Sequence, residues 1–593
     1  MDKLTAYTLL KSLLQRLDAD SVLEQPRMSG LVSATEKQAL EQVLKEYESS
    51  LSVDALRDGA QLETVQAKKG DTQGENPKPD SGESTKPESA PLAIDEKAFS
   101  FAKVQNPEIV LCLDFGTAKS KAFAASDDES DPKFYELALG KRDGDQDGSI
   151  YAVSSSVWIE ENGQMYAGSE AVRRGANQTN GVKSRRRLDS LKQELSQVLP
   201  GHQVGSQILP PEVNPSGIEL SYDDAITFYL AYLTDLAVSE LNERHGISRY
   251  VRRRFTLPCW ESEHRSRAAQ LLSRRLACAQ VLADSFHNRW KDGIPAKEVK
   301  RLIQSILSRV DKLTYLLDLK LEGPKHLSAR WGGLLEPLAA GSSRIWLDRS
   351  ARDLVLVVDV GAGTTDLSVF WVVQTSGQKG HRAFPVEPCG TAIRMAGDLL
   401  DSVLVRMILD RAHLGADTML QQRVSSALFL SGVRRLKEQL INTGELTHRL
   451  VNDQVISITR KEFLETEGVR NFTASLEKTI ETFLSSIDLT WHDPMSKIRL
   501  VLTGGGCDLP MVRAIAEREW HIGGQKIRFQ QTKNLPELIA ERFDEDFCRE
   551  YPQLAVALGG ALPMVLDEGN SQKEWFGGAQ APGPLPRYPV TGT

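Results

Sequence analysis

The chain of 593 residues has no run of 18 apolar residues, so no segment reads as a membrane-spanning helix. Its six cysteines, at 112, 259, 278, 389, 507 and 548, include no CxxC pair or other metal-ligand spacing. Scattered single thiols belong to a reducing compartment, and a cytoplasmic protein is expected. Positive charge is in short supply, with 72 Lys and Arg against 80 Asp and Glu, a net charge of −8. Nucleic acid is therefore not an expected partner, because neutralising phosphates needs a basic face. The two basic clusters, 183–187 and 252–254, read as solvated or structural. The first residues, MDKLTAYTLLKSLLQRLD, interrupt their apolar positions with charge, unlike a signal peptide. Residues 66–91 contain no Val, Ile, Leu, Met, Phe, Trp or Tyr. Such a stretch buries too little to offset its ordering entropy, and a disordered linker is expected over 66–105.

On either side of that linker the patterning changes. Leu10, Leu13, Leu14 and Leu17 share one helical face. A second amphipathic stretch opens with the capping-box pair Ser33 and Glu36 and carries Leu40, Val43, Leu44, Tyr47 and Leu51. Residues 1–65 are thus expected as a helical extension, and the Pro-rich 566–593 as a flexible tail. Between linker and tail, Ile109–Leu113, Leu354–Val358 and Ile498–Leu502 are short β-rich runs, each entering a glycine turn. Sheets buried under helices give this signature, and the expected class is α/β.

The three turns share one chemistry. In LDFGTAKSKAFA, Asp114 ends a strand and Gly116, Thr117, Ala118 and Lys119 form the tip of a hairpin that can wrap a phosphate with N–H groups. VVDVGAGTTDLSVF repeats the layout with Asp359, the tip Gly361–Ala362–Gly363, then Thr364, Thr365 and Asp366. LVLTGGGCDLPMVRAIAE places Gly504, Gly505 and Gly506 after a strand, with a helix beginning near Pro510. A nucleoside triphosphate needs two sets of amide donors and acids to hold hydrated Mg²⁺. Asp114 and Asp359 stand where they would hold that ion through water, and the set points to an ATP site.

In order and motif the sequence resembles the actin-like ATPase superfamily, and most closely the heat shock protein 70 (DnaK-type) family. Phe255–Thr256–Leu257–Pro258 is similar to that family's strand ending in Val-Pro, and Glu336–Pro337–Leu338–Ala339–Ala340 to its Glu-Pro-Thr-Ala-Ala connection. Ala396–Gly397–Asp398–Leu399–Leu400–Asp401 resembles its Gly-Gly-Glu-Asp-Phe-Asp helix start, and 554–561 its closing Ala-rich helix. The resemblance covers about 106–565. It implies a two-lobed fold of duplicated ribonuclease-H-like domains, lobe I over 106–353 and lobe II over 354–565. It also implies that ATP or ADP binds with Mg²⁺ and that ATP is hydrolysed; slow turnover is expected because no base in the sequence is obviously tuned for fast hydrolysis. Residues 116–119 would contact the β- and γ-phosphates and 361–364 would close over the γ-phosphate. Glu336 would position the attacking water, with Thr364 beside it. Gly397, Asp398, Arg434, Lys437 and Gly504 to Asp508 would surround the adenosine.

The departures are specific. Arg186 stands where the family has a phosphate-contacting lysine, and Lys121, which stands where actin has one, is expected to supply that charge. Arg434 replaces a glutamate and Ile441 a serine near the base. A helical insertion is expected near 277–330, where Val299, Leu302, Ile303, Ile306, Val310 and Leu313 recur at helical spacing. Only about 30 residues follow the closing helix, so the family's peptide-binding half is not expected. The reading is a nucleotide-driven switch that acts through protein partners, engaged by the N-terminal helices and the insertion. A hydrolysis-deficient scaffold is the main alternative; a filament protein and a small-molecule kinase fit less well.

Overall fold

The structure, a computed structural model, describes residues 91–563 apart from 102, 129–130, 145–147, 178–184, 197–205, 260–261, 318–332, 348–352, 375–380, 415–417, 488–497, 523 and 533–534. The chain divides into Met1–Ser89 and Ala90–Thr593, and the described residues belong to the second unit. The expected helices before residue 66 and the tail after 565 lie outside the described residues.

Strands β1 (Ile109–Asp114), β2 (Lys119–Ser126), β3 (Phe134–Glu136), β4 (Val153–Ser154), β5 (Arg252–Leu257) and β6 (Gly333–Leu335) form one sheet. The central β1 pairs antiparallel with β2 and parallel with β5, which pairs parallel with β6. A second sheet contains β7 (Asp353–Val360), β8 (Thr365–Gln374), β9 (His381–Ile393), β10 (Ile498–Thr503), β11 (Glu519–Ile522) and β12 (Gln525–Gln531). There β7 pairs antiparallel with β8 and parallel with β10, which pairs parallel with β12. Each central strand therefore has a hairpin partner on one side and a parallel neighbour on the other. Every residue of β1 is buried, as a strand covered on both faces requires.

One apolar cluster joins the sheets. Cys112 and Phe123 from the first and Val355, Val357 and Val501 from the second pack with two helices, α1 (Glu336–Leu347) and α2 (Glu545–Ala561). These helices nearly touch: a Cβ at Gly559 would lie 1.7 Å from the Ala339 carbonyl oxygen, so only glycine fits. Arg254 donates to the carbonyls of Gly560 (3.0 Å) and Leu562 (2.6 Å), satisfying the C-terminal end of α2. Arg252, Arg253 and Arg254 are all buried, so that basic cluster is structural. The carboxyl ends of β1 and β7 are where crevices form in open α/β sheets.

Two expectations are corrected. The linker does not reach 105: Leu92 and Ala98 are buried, Phe101 lies against Tyr250 with ring centres 4.7 Å apart, and Arg309 pairs with Glu96 at 2.6 Å. Apolar residues reappear at Leu92, and with them enough burial to order the chain. The insertion is also not a free helical handle. Ala296–Leu307 is α-helical and Val310–Leu316 a separate 3₁₀ turn, and all six of its periodic apolar residues are buried in the first sheet's core cluster. Its apolar face is already covered.

Candidate functional site

The register of the first hairpin sets Asp114 opposite Lys121. Both side chains therefore stand on one side, with Lys121 Nζ 3.1 Å from Asp114 Oδ2, while Thr256 Oγ1 donates to Asp114 Oδ1 at 2.9 Å. The second hairpin closes at Val360 opposite Thr365, leaving 361–364 as the tip, where the Gly361 N–H donates to the Thr364 carbonyl at 3.0 Å. After β10, Gly504 has φ +82°, and a Cβ there would lie 2.3 Å from Asp359 Oδ1. Only glycine takes that backbone so close to the carboxylate. A helix follows at Pro510–Glu517 with proline in its first turn, where a missing N–H costs nothing.

The second and third turns are bonded together. The Gly506 N–H donates to the Val360 carbonyl at 2.9 Å, and the Gly397 and Asp398 N–H groups donate to the carbonyls of Gly361 (3.2 Å) and Ala362 (2.8 Å). All three turns border one cavity of about 410 Å³, a volume suited to a cofactor-sized ligand. Its walls include Asp114, Gly116, Thr117, Ala118, Lys119 and Lys121 from the first hairpin, and Asp359, Gly361, Ala362 and Thr364 from the second. Gly504, Gly505, Gly506 and Asp508 add the third turn, with Glu336, Gly397, Arg434 and Lys437 from neighbouring helices. A shallower hollow of about 490 Å³ beside Gly444, Arg460, Lys461 and Arg470 shares none of these residues and has no buried acid.

Asp114, Glu336, Asp359 and Asp366 are buried here against two lysines, Lys121 and Lys192. Burial pushes the Asp359 carboxyl well above the usual carboxylate range, and Glu336, Asp366 and Asp114 push the same way against Lys121. Burial likewise raises Glu336, opposed by its ion pair with Lys192 and reinforced by Asp114 and Asp366. Burial works against the Lys192 charge, but Glu336 and Asp114 outweigh it and hold its pKa above the ordinary value. Asp366 Oδ1 accepts from the Cys259 N–H at 2.7 Å, and Asp366 also bonds the Thr364 hydroxyl. The carboxylates outnumber the lysines, and this excess fits a bound divalent cation. Among the described residues no three His, Cys, Asp or Glu side chains form a direct metal cluster.

The helix Val433–Thr443 adds Arg434, Glu438 and Ile441 to the cavity lining at helical spacing. Lys437 is buried, 2.6 Å from Asp401 and donating to the Gly397 carbonyl at 2.8 Å. Arg434 pairs with Asp398 at 2.7 Å, and Asp398 also accepts from Ser190 and Gln193 across the cleft.

Four expected residues are not on the cavity wall. Arg186 is exposed, and its backbone N–H bonds the Glu212 carbonyl. The Thr365 hydroxyl is turned to the Met395 carbonyl at 2.8 Å, as the first residue of β8. Gly363 faces Thr117 and Gln193, and Asp398 is taken up by its partners. The buried charged residue on the wall that the sequence reading missed is Lys192. It lies in the short helix Leu191–Ser196, held down by buried Leu191 and Leu195, and lines the cavity. The i, i+4 leucine pair was the available signal, and it marks a helix rather than a ligand.

No family model matches the chain. Partial similarity connects it to proteins named "Chaperone protein HscA homolog". That of Burkholderia multivorans is 28% identical over 250 residues, 41% of this chain and 34% of the relative. That of Burkholderia cenocepacia is 29% identical over 184 residues, 30% of this chain and 27% of the relative. A third, from Burkholderia ambifaria, is 28% identical over 249 residues, 41% and 34% of the two chains. The chain thus matches about a third of the length of these relatives. The likeness is distant and supports, at most, kinship with the heat shock protein 70 chaperones. Among the described residues no helix is long and apolar enough to cross a membrane.

Proposed function

We propose that the chain is a DnaK-like ATPase that binds ATP or ADP with Mg²⁺, hydrolyses ATP slowly and acts on protein partners as a nucleotide-dependent switch. The observation that carries this reading is one cavity bordered by three glycine turns, two of them closing hairpins with a buried Asp at or one residue before the end of the leading strand. The matching strand order of the two sheets supports reading them as the two lobes of an actin-like fold.

In this reading the amides of 116–119, Ala362 and Thr364 cradle the phosphates, and Lys121 and Lys192 balance their charge. Asp114 and Asp359 would hold Mg²⁺ through water, and the chemistry the ion supplies is neutralisation of the triphosphate charge. Glu336, held by Lys192, orients the attacking water, and Thr364, bonded to Asp366, lies beside it. Gly397, Arg434, Lys437, Gly504, Gly505, Gly506 and Asp508 hold the sugar and base, and Asp398 acts by fixing Arg434. Lobe rotation about a shared cavity would carry the nucleotide state outward to partners. Because the insertion's apolar face is buried, residues 1–65 remain the proposed partner handle.

Calorimetric titration with Mg²⁺–ATP and phosphate release without added substrate test the reading. Ligand at 100 times its dissociation constant stabilises a protein by about 2.7 kcal/mol, so melting should rise by several degrees. A flat response across millimolar ATP would sink it.

A further inference from the structure

Ser155 is almost fully buried immediately after β4, and it bonds to the first glycine turn twice. Its backbone N–H donates to the Ala118 carbonyl at 2.9 Å, and its hydroxyl donates to the Gly116 carbonyl at 2.8 Å. A serine hydroxyl has one proton, so with Gly116 as acceptor it must accept from Ser120 Oγ, 2.9 Å away, and from Tyr229 OH at 3.5 Å. Ser120 and Tyr229 are themselves completely buried. The Ser155 oxygen thus has its donor and both lone pairs engaged in a dry setting, where a lost bond leaves buried groups unmatched.

Peptide planarity gives this arrangement its consequence. In a trans peptide the C=O and the following N–H point in opposite directions. Holding the Gly116 carbonyl back toward Ser155 turns the Thr117 N–H the other way, and holding the Ala118 carbonyl does the same for the Lys119 N–H. Residues 116–119 line the cavity, whereas Ser155 behind them does not. Without the two bonds the turn's peptides would be free to flip, and an outward carbonyl would repel an anion.

We infer that Ser155 is a positioning residue that aims the N–H groups of the 116–119 turn at the anionic, phosphate-bearing part of the ligand. The assignment rests on the nucleotide reading above. It acts through the backbone, so its signature is selective: ligands with a phosphate tail should feel its loss and the bare nucleoside should not.

The test compares the full-length protein with Ser155→Ala and Ser155→Thr, measuring dissociation constants for Mg²⁺–ATP and adenosine and the melting temperature of each. Ser155→Ala should weaken Mg²⁺–ATP about tenfold, the scale of one lost hydrogen bond at a desolvated site, with adenosine unchanged within twofold. Ser155→Thr, which keeps the hydroxyl, should restore most of the Mg²⁺–ATP affinity. If Ser155→Ala does not fold, Ser155→Cys carries the same expectation, since its thiol is only a weak donor. Equal weakening of adenosine and Mg²⁺–ATP, or no weakening of either, overturns the Ser155 assignment while leaving the nucleotide reading standing. Failure of the wild-type protein to bind either compound overturns both.

Discussion

Lys192 and Glu336 meet as a buried ion pair inside the cavity, with side chains 4% and 11% exposed. Neither would stay charged there alone, because burial disfavours both ions. The pair brings the first residue of α1, from one part of the chain, to a lysine 144 residues earlier.

The first prediction separates Lys192 from Arg186. Lys192→Met should slow phosphate release at least tenfold, about 1.4 kcal/mol at the barrier. Arg186→Ala, at an exposed position, should stay within twofold of wild type. Single-turnover phosphate release measures both, and equal losses would return Arg186 to the site.

Asp359 supplies a pH test. Its raised pKa means that the folded state binds its proton more tightly than the unfolded chain does. Stability of the ligand-free protein should therefore fall as pH rises from about 4, the unfolded value, through the raised folded value. Asp359→Asn should remove this cost, raising ligand-free stability by about 1–2 kcal/mol, as relieving a strained functional site commonly does. The same variant should lose the Mg²⁺ dependence of ATP binding. Melting curves between pH 5 and 8 decide the matter, and a destabilised Asp359→Asn variant would show that the carboxylate is not under strain.

Lys121 is paired with Asp114 at the edge of the same cavity. Lys121→Ala should reduce Mg²⁺–ATP affinity more than tenfold and adenosine affinity little, since only the phosphates need the charge. Calorimetry with both ligands is the measurement, and a uniform loss would mark the lysine as a structural partner of Asp114.

Two truncations test the boundary. Removing residues 1–90 should leave nucleotide-induced stabilisation intact, because the second contact unit begins at Ala90. Removing 1–101 also deletes Leu92, Ala98 and the Glu96–Arg309 pair, and should lower the melting temperature by several degrees. Indistinguishable melting of the two proteins would show that the 91–101 segment adds nothing to the fold.

Local sequence alone determined the three glycine turns, Asp114 and Asp359 before two of them, and the class of fold. These depend on short-range rules: which residues tolerate a tight turn, and how apolar residues repeat in a covered strand. The start of the helix at Pro510 was legible for the same reason. Tertiary structure decided which cations line the cavity. Arg186 and Lys192 are six residues apart in a basic stretch, and only the burial of Leu191 and Leu195 turns Lys192 inward while Arg186 stays in water. It also decided the fate of the amphipathic insertion, whose apolar face reads identically whether it awaits a partner or, as here, fills the core. Periodicity reports that a face must be covered, and only the packed chain supplies what covers it.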